Sequence, residues 1–247
     1  MKDIVVSIVT VCYNSEDTIR DTIESVLGQT YANIEYLIID GCSKDSTLAI
    51  AREYQGAFEK KGMSYKIVSE PDKGIYDAMN KGCKMASGHL VGILNSDDWY
   101  ETNTIERVVD TYKRTEFDMF YADIRLIRPD GSEIVKHSKY RKYATSRDWN
   151  HPTTFVKRSI YDRFQFQCKV VYDDWDFILK VRNAGYKIVV LNEVLANFRM
   201  GGASNEGGFK RALKKVKERY GIYRQNGMSR LYFFECFVHE VAKAILK

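Results

Sequence analysis

The sequence holds no run of about 18 consecutive apolar residues, so no membrane-spanning helix is expected. Its opening, MKDIVVSIVTVCYN, is broken by Ser7 and Thr10, stops at Asn14 and offers no small-residue cleavage site. It reads as a buried strand rather than a signal peptide. Cysteine is sparse and odd in number, at positions 12, 42, 83, 168 and 236, with no C-x-x-C pair. That argues against a disulfide framework or a zinc site and for a reducing, cytoplasmic setting. The histidines, at 89, 137, 151 and 239, lack metal-ligand spacing. Also missing are G-x-G-x-x-G after the first strand, G-x-x-x-x-G-K-[ST] and G-x-S-x-G. Dinucleotide binding, P-loop chemistry and serine hydrolysis therefore fit poorly. There is no internal repeat and no low-complexity stretch.

What is present is an ordinary globular balance, 45% hydrophobic and 29% charged over 247 residues. That length suits one large α/β domain with a short appendage. The formal charge is +5, yet residues 207–247 carry ten Lys or Arg against three Glu. The basicity belongs to this tail, and the preceding body is slightly acidic.

Hydrophobic periodicity gives the organisation. Strands are predicted over Ile4–Cys12, Ile34–Ile39, Tyr65–Ser69, Leu90–Leu94 and Asp118–Ala122. Helices fall between them: one capped by Asn14 or Ser15, one from Ser43 to about Lys60, Ile75–Ala86, and Thr102–Arg114. This alternation predicts a mostly parallel sheet flanked by helices, with ligands outside the carboxyl ends of the strands. Polar clusters stand at those ends: Tyr13-Asn14, Asp40-Gly41, Glu70-Pro71-Asp72 and Asp97-Asp98. After residue 122 the pattern changes. A hairpin around Pro129-Asp130-Gly131, a helix over Asp173–Ala184, a strand over Lys187–Leu191 and two final helices follow. Residues 1–122 read as the donor-binding half, 123–206 as the acceptor side and 207–247 as a basic amphipathic helical tail.

Four segments carry candidate chemistry. Adjacent carboxylates such as Asp97 and Asp98 repel unless a cation neutralises them, and Mg²⁺ or Mn²⁺ takes such oxygens. The bland account is a loop that caps the next helix. Asp40, closing an apolar strand, has the chemistry to accept from a nucleobase or ribose, although a turn residue looks the same. In Ser69–Gly82 a polar string opens a helix, and Lys73 and the helix start could both face phosphate, or merely cap a surface helix. Asp174, beside Trp175, is a candidate general base with a raised pKa; acidic residues also favour helix starts for structural reasons. His151 before Pro152 is a further candidate, with a structural role as the alternative.

Together these segments resemble the family 2 glycosyltransferases of the GT-A fold. The residues that carry the resemblance are Thr10–Asn14, Ile39–Thr47, Glu70–Gly82 and Asn95–Tyr100. The branch that builds bacterial surface polysaccharides and glycolipids, of colanic-acid or phenolic-glycolipid type, is matched by Glu70–Gly82, His151–Phe155, Asp174–Lys180 and Phe198–Ser204. The resemblance implies an inverting, metal-dependent transfer from a nucleoside-diphosphate sugar, most often a UDP-sugar, to a hydroxyl of a glycan or lipid-linked acceptor. It implies Asp174 as the base and Thr10, Tyr13 and Asp40 on the donor's base and ribose. Asn80, like Lys73, is taken with the donor-binding residues. Gly201, Gly202 and Ser204 would lie near the diphosphate or acceptor. Asp97 and Asp98 are shared between ribose and metal. Because Asn95 stands where the family often has Asp, coordination is expected on Asp98, with Asp97 on the ribose.

The tail is a separate matter. Lys210, Arg211, Lys214, Lys215, Lys217 and Arg219 precede an aromatic-rich amphipathic segment from Leu231 to Leu246. This suits a helix lying on an anionic membrane at its cytoplasmic face. It equally suits a helix pair packed on the domain or on a second subunit of a homodimer. No nucleic-acid partner is expected, since the body is slightly acidic and lacks exposed aromatic-basic strands. A non-catalytic nucleotide-sugar-binding protein and a membrane-surface adaptor stay open as alternatives.

Overall fold

A computed structural model describes residues 4–201 and 209–245. The first half alternates as its periodicity dictates: β1 (Val6–Cys12), α1 (Ile19–Leu27), β2 (Ile34–Asp40), α2 (Thr47–Glu53), α3 (Gln55–Lys60), β3 (Ser64–Ser69), α4 (Ile75–Met85) and β4 (Leu90–Ile93). Every residue of β1 is buried, as a central strand with both faces covered requires. Then come β5 (Trp99–Tyr100), α5 (Thr104–Thr115), β6 (Met119–Ile127) and β7 (Glu133–Lys136). The chain continues through β8 (Phe155–Lys157), α6 (Arg158–Arg163), α7 (Asp173–Asn183), β9 (Ile188–Arg199), α8 (Phe209–Gln225) and α9 (Tyr232–Ile245).

Among the described residues the strands form one sheet in the order β3-β2-β1-β4-β8-β6-β9-β5, with β7 on β6. The strands β3-β2-β1-β4 are parallel, as expected. Beyond them the sheet is mixed, because β8 runs antiparallel to both β4 and β6. The chain leaves β1 toward β2 and β3, then returns to place β4 on the other side of β1. Such a reversal opens a crevice at the strands' carboxyl ends.

Side chains alternate between two cores. Val6, Ile8, Tyr36 and Ile38 face α1, α2, α3 and α5. Val9, Val11, Leu37 and Ile39 face α4, α6 and α7. The C-terminal helices join this second core: Val216, Ile222 and Tyr223 of α8 and Tyr232 and Cys236 of α9 pack with Trp175 and Ile178 of α7. The tail is therefore a fused layer of the body, with an outer face of its own.

Three departures from the periodicity have local causes. The helix expected over 43–60 breaks at Tyr54, whose N–H turns to the Ala51 carbonyl three residues back, at 3.4 Å. Ser43 caps nothing, because its hydroxyl and amide are drawn to Asp40; the helix starts after Ser46. The strand expected to end at Leu191 continues to Arg199. Two register shifts against β6 absorb Asn192 and Glu193 and then Leu195, and the Asn192 amide donates to Asp123 Oδ1 at 3.1 Å and the Ser138 carbonyl at 3.0 Å.

Candidate active site

The parallel register aligns Cys12, Asp40 and Ser69 in one row at the ends of β1, β2 and β3. Three loops leave this row and are stitched together. Asn14, held at a positive φ of 49°, accepts from Lys44 N–H at 2.8 Å and donates its own N–H to Ser43 Oγ at 2.9 Å. Ser15 N–H reaches Thr47 Oγ1 at 2.6 Å. Across the β1–β4 reversal, the Ser15 and Ser96 hydroxyls lie 2.8 Å apart. Tyr13 stays 56% exposed at this mouth. Gly41 is hemmed in beside it: a Cβ there would stand 2.5 Å from Asp72 Oδ2 and 3.5 Å from Tyr13 Cδ2.

The acidic turn after β4 is anchored from below. Thr22 Oγ1 donates to the Asp98 carbonyl at 2.7 Å. Asp98 is fully buried, with Oδ1 accepting from Arg199 N–H at 3.2 Å. Asp98 Oδ2 and Asn95 Oδ1 are buried without a hydrogen-bond partner. Burial, then the neighbouring Asp97, pushes the Asp98 carboxyl well above the usual range. Burial also raises that of half-buried Asp97. The Arg199 guanidinium donates to the Asp97 carbonyl at 3.3 Å, pairs with Asp21 at 2.6 Å and lies 5.0 Å over the Trp99 ring.

Asp174 sits in the first turn of α7, with its side chain 22% exposed. Oδ1 accepts from Trp175 N–H at 2.7 Å, and Oδ2 lies 3.7 Å from His151 Nδ1. Burial raises its carboxyl to about 6, against the opposing hydrogen bond from Trp175. His151, pushed down to about 4 by burial, is a neutral imidazole at physiological pH, so this contact is not an ion pair. Trp149 meets the His151 ring edge-on at 5.6 Å. A cavity of about 10 Å³, room for one water, is lined by Asp174, His151, Trp149, Tyr161, Phe166 and, from the end of β4, Ile93. Asp174 therefore borders the same sheet end as the acidic turn.

The sequence matches the family "Glycosyl transferase family 2" over residues 7–179, well over half of the chain. The chain belongs to glycosyl transferase family 2. Among its relatives is TuaG of Bacillus subtilis, a teichuronic acid biosynthesis glycosyltransferase, 27% identical over 98% of this chain and 96% of that one. Another is WfgD of Escherichia coli, a UDP-Glc:α-D-GlcNAc-diphosphoundecaprenol β-1,3-glucosyltransferase, 28% identical over 94% of this chain and 92% of that one. The fold is that of GT-A enzymes. Staphylococcus aureus TarS in complex with UDP-GlcNAc superposes with a TM-score of 0.70 at 16% identity, covering 96% of this chain and 72% of that one. A Pyrobaculum calidifontis mannosyltransferase in complex with GDP-Man and Mn²⁺ gives 0.69 at 16% identity, covering 98% and 70%.

In this family 2 enzyme several residues expected on the donor are committed elsewhere. Thr10 is fully buried and accepts from the Tyr36 hydroxyl at 3.0 Å, so its side chain serves the core and not the crevice. Asp40 is fully buried too. It accepts from Ser69 Oγ at 2.6 Å and from the Ser43 amide and hydroxyl, which makes it the organiser of the β2–α2 turn. Asn80 exchanges two bonds with Phe166, donating to its carbonyl at 2.9 Å and accepting from its N–H at 3.0 Å. It ties α4 to the segment before α7. At the start of α4, Asp77 and Asp72 already accept from the N–H groups of Lys73 and Gly74, at 3.0 and 2.8 Å. These two amides precede the helix, whose N-cap makes no side-chain bond, and the Lys73 side chain is exposed beside it. Tyr13, Asp97 and Asp174 keep open positions. Gly201 follows β9 at a φ of 120°, reached by few residues other than glycine. Gly202 and Ser204 lie outside the described residues.

Of the paired carboxylates, Asp97 is half-buried and Asp98 fully buried. Sequence reasoning gave no role to Arg199. Its signal was a lone cation closing an apolar strand, but the bulge that delivers it to the acidic turn is a tertiary feature.

Proposed function

We propose that this chain transfers one sugar, with inversion, from a nucleoside-diphosphate sugar to an acceptor hydroxyl in bacterial surface polysaccharide or glycolipid synthesis. The observation that carries the reading is Asp174: a carboxyl raised to about 6, beside a neutral histidine, at the sheet end that holds an unsatisfied acidic turn. Asp174, ionised, takes the acceptor's proton. The acceptor oxygen attacks the anomeric carbon from the face opposite the diphosphate, and the sugar–phosphate C–O bond breaks with its electron pair leaving on the phosphate oxygen. One acidic side chain suffices, unlike the carboxyl pair of glycosidases.

The acidic turn fits a hard divalent cation. Its donors are all oxygen, and the orphaned Asp98 Oδ2 and Asn95 Oδ1 lack any other partner. Among the described residues no group of three or more His, Cys, Asp or Glu could hold an ion, so the protein would supply only the two carboxylates of this turn. Asp97 and Asp98 would hold Mn²⁺ or Mg²⁺, and the ion supplies charge neutralisation to the leaving diphosphate. Arg199 and Lys73 add positive charge, and Tyr13 offers an exposed ring to the donor's base.

UDP is the proposed nucleotide and a glycan or lipid-linked hydroxyl the proposed acceptor. A lipid-linked acceptor agrees with the apolar surface at α9, where Leu231, just before the helix, and Phe234 and Val238 on it are each about two-thirds exposed. Exposed Lys214 and Lys217 of α8 and Arg230 of the connection to α9 suit an anionic bilayer, which would place the enzyme peripherally at the cytoplasmic face.

A thermal-shift series with UDP-, GDP-, ADP-, TDP- and CMP-sugars, with and without Mn²⁺, tests the donor site. One nucleotide is expected to raise the melting temperature in a metal-dependent way, because it binds only the folded chain. No shift with any donor would overturn the reading.

A further inference from the structure

We propose that the C-terminal helix pair is a positioning element for the general base, acting through Tyr172 and Asn226. The inference rests on the reading of Asp174 as that base. Asp174 is flanked on α7 by residues that α8 and α9 hold. Tyr172, at the helix start, donates its hydroxyl to Glu240 Oε1 of α9 at 3.1 Å. The Trp175 ring meets Tyr223 of α8 edge-on at 6.1 Å. Buried Asp176 accepts through Oδ1 from Asn226 Nδ2 at 2.7 Å. One further bond, from Asn183 Nδ2 to the Asn226 carbonyl at 2.9 Å, fixes the far end of α7. Asp174 is thus held between neighbours anchored to the two helices.

The anchors are themselves fixed. Glu240 accepts from Nη1 of Arg219 at 3.1 Å, and Arg219 Nη2 bonds Glu235 Oε1 at 2.6 Å. Arg219 is fully buried, and Glu235 also accepts from Thr145 Oγ1 at 2.9 Å. A buried charge network of this kind is weak support for stability as such, since apolar packing often does as well. What it does supply is direction, because each bond has one geometry. A general base needs that, as displacement by about 1 Å can cost up to roughly 100-fold in rate.

The test uses the full chain carrying Tyr172→Phe or Asn226→Ala, with Asp174→Asn as control. Turnover, donor affinity by calorimetry, melting temperature and the pH dependence of kcat are measured for each. Tyr172→Phe removes one hydroxyl and keeps the ring, so folding survives. Turnover is expected to fall roughly 10-fold, with donor affinity unchanged and the acidic limb of kcat displaced as the first turn of α7 loosens around Asp174. A purely structural role would lower the melting temperature and leave that limb in place. Normal turnover with an unmoved limb in both variants overturns the proposal while Asp174→Asn stays inactive. Full activity of Asp174→Asn would instead overturn the base reading itself, and the proposal with it.

Discussion

At the scale of single residues the chemistry turns on how burial treats two neighbours. It raises Asp174 to about 6 and lowers His151 to about 4. Between those values His151 stays neutral while Asp174 titrates, so the pair does not exchange a proton in the working range. The base acts only when ionised. Turnover is therefore expected to fall as pH drops through about 6, with a single acidic limb in a kcat–pH profile. A limb near the ordinary carboxylate value would show that Asp174 is solvated. Asp174→Asn is expected to keep donor binding and lose roughly 10²–10⁴-fold in turnover. The stability effect has the opposite sign. Because the folded carboxyl is raised above its unfolded value, the stability it contributes in acid is lost as pH rises through about 6. The same variant should then melt at an equal or higher temperature at pH 7.5. A near-normal rate would remove Asp174 from the mechanism.

At the scale of elements, α4 links the sheet to the site. Its Gly82 lies against β1 and β2: a Cβ there would stand 2.2 Å from Val9 Cγ1 and 3.1 Å from Ile39 Cγ1. Alanine would gain about 1 kcal/mol of helix propensity. Overpacking costs about 1–3 kcal/mol, and a β-branched valine within a sheet has little freedom to yield. Overpacking wins. Gly82→Ala is expected to lose up to about 2 kcal/mol in urea unfolding. Activity should fall further than stability alone requires, because α4 also carries Asn80 and Tyr76, which bond Phe166 and the Val171 carbonyl in the segment before α7. A stabilised variant would mean that α4 has room to lift.

For the whole molecule, the uneven charge and the fused helix pair give one chain two faces. The inner face of α8 and α9 completes the core over α7. The outer face exposes Leu231, Phe234 and Val238 beside basic residues. No helix among the described residues is long and apolar enough to cross a membrane. The double variant Leu231→Glu/Phe234→Glu should lose co-sedimentation with anionic phospholipid vesicles and keep its transfer to a soluble acceptor. Indifference of the unaltered chain to such vesicles would remove the membrane reading. A dimer in sedimentation that the same variant dissociates would assign the face to a second copy.

Local pattern alone determined much of this. Strand and helix periods placed nearly every element of the first 120 residues, and polar residues at successive strand ends located the crevice. Both signals depend only on near neighbours in the chain, so they are legible in it. The direction of each side chain and its partner were not. Thr10 and Asp40 stand where a donor-binding residue is expected, yet Tyr36 in one case and Ser43 and Ser69 in the other claim their oxygens. Arg199 reaches the acidic turn only because a bulge lengthens β9. Asp174, with a raised pKa beside Trp175, was nameable from its string; its neighbour His151 and its anchorage by Tyr172 and Asn226 were not. These features come from residues distant in sequence, and only the folded chain decides which of them share a hydrogen bond or a low-dielectric wall.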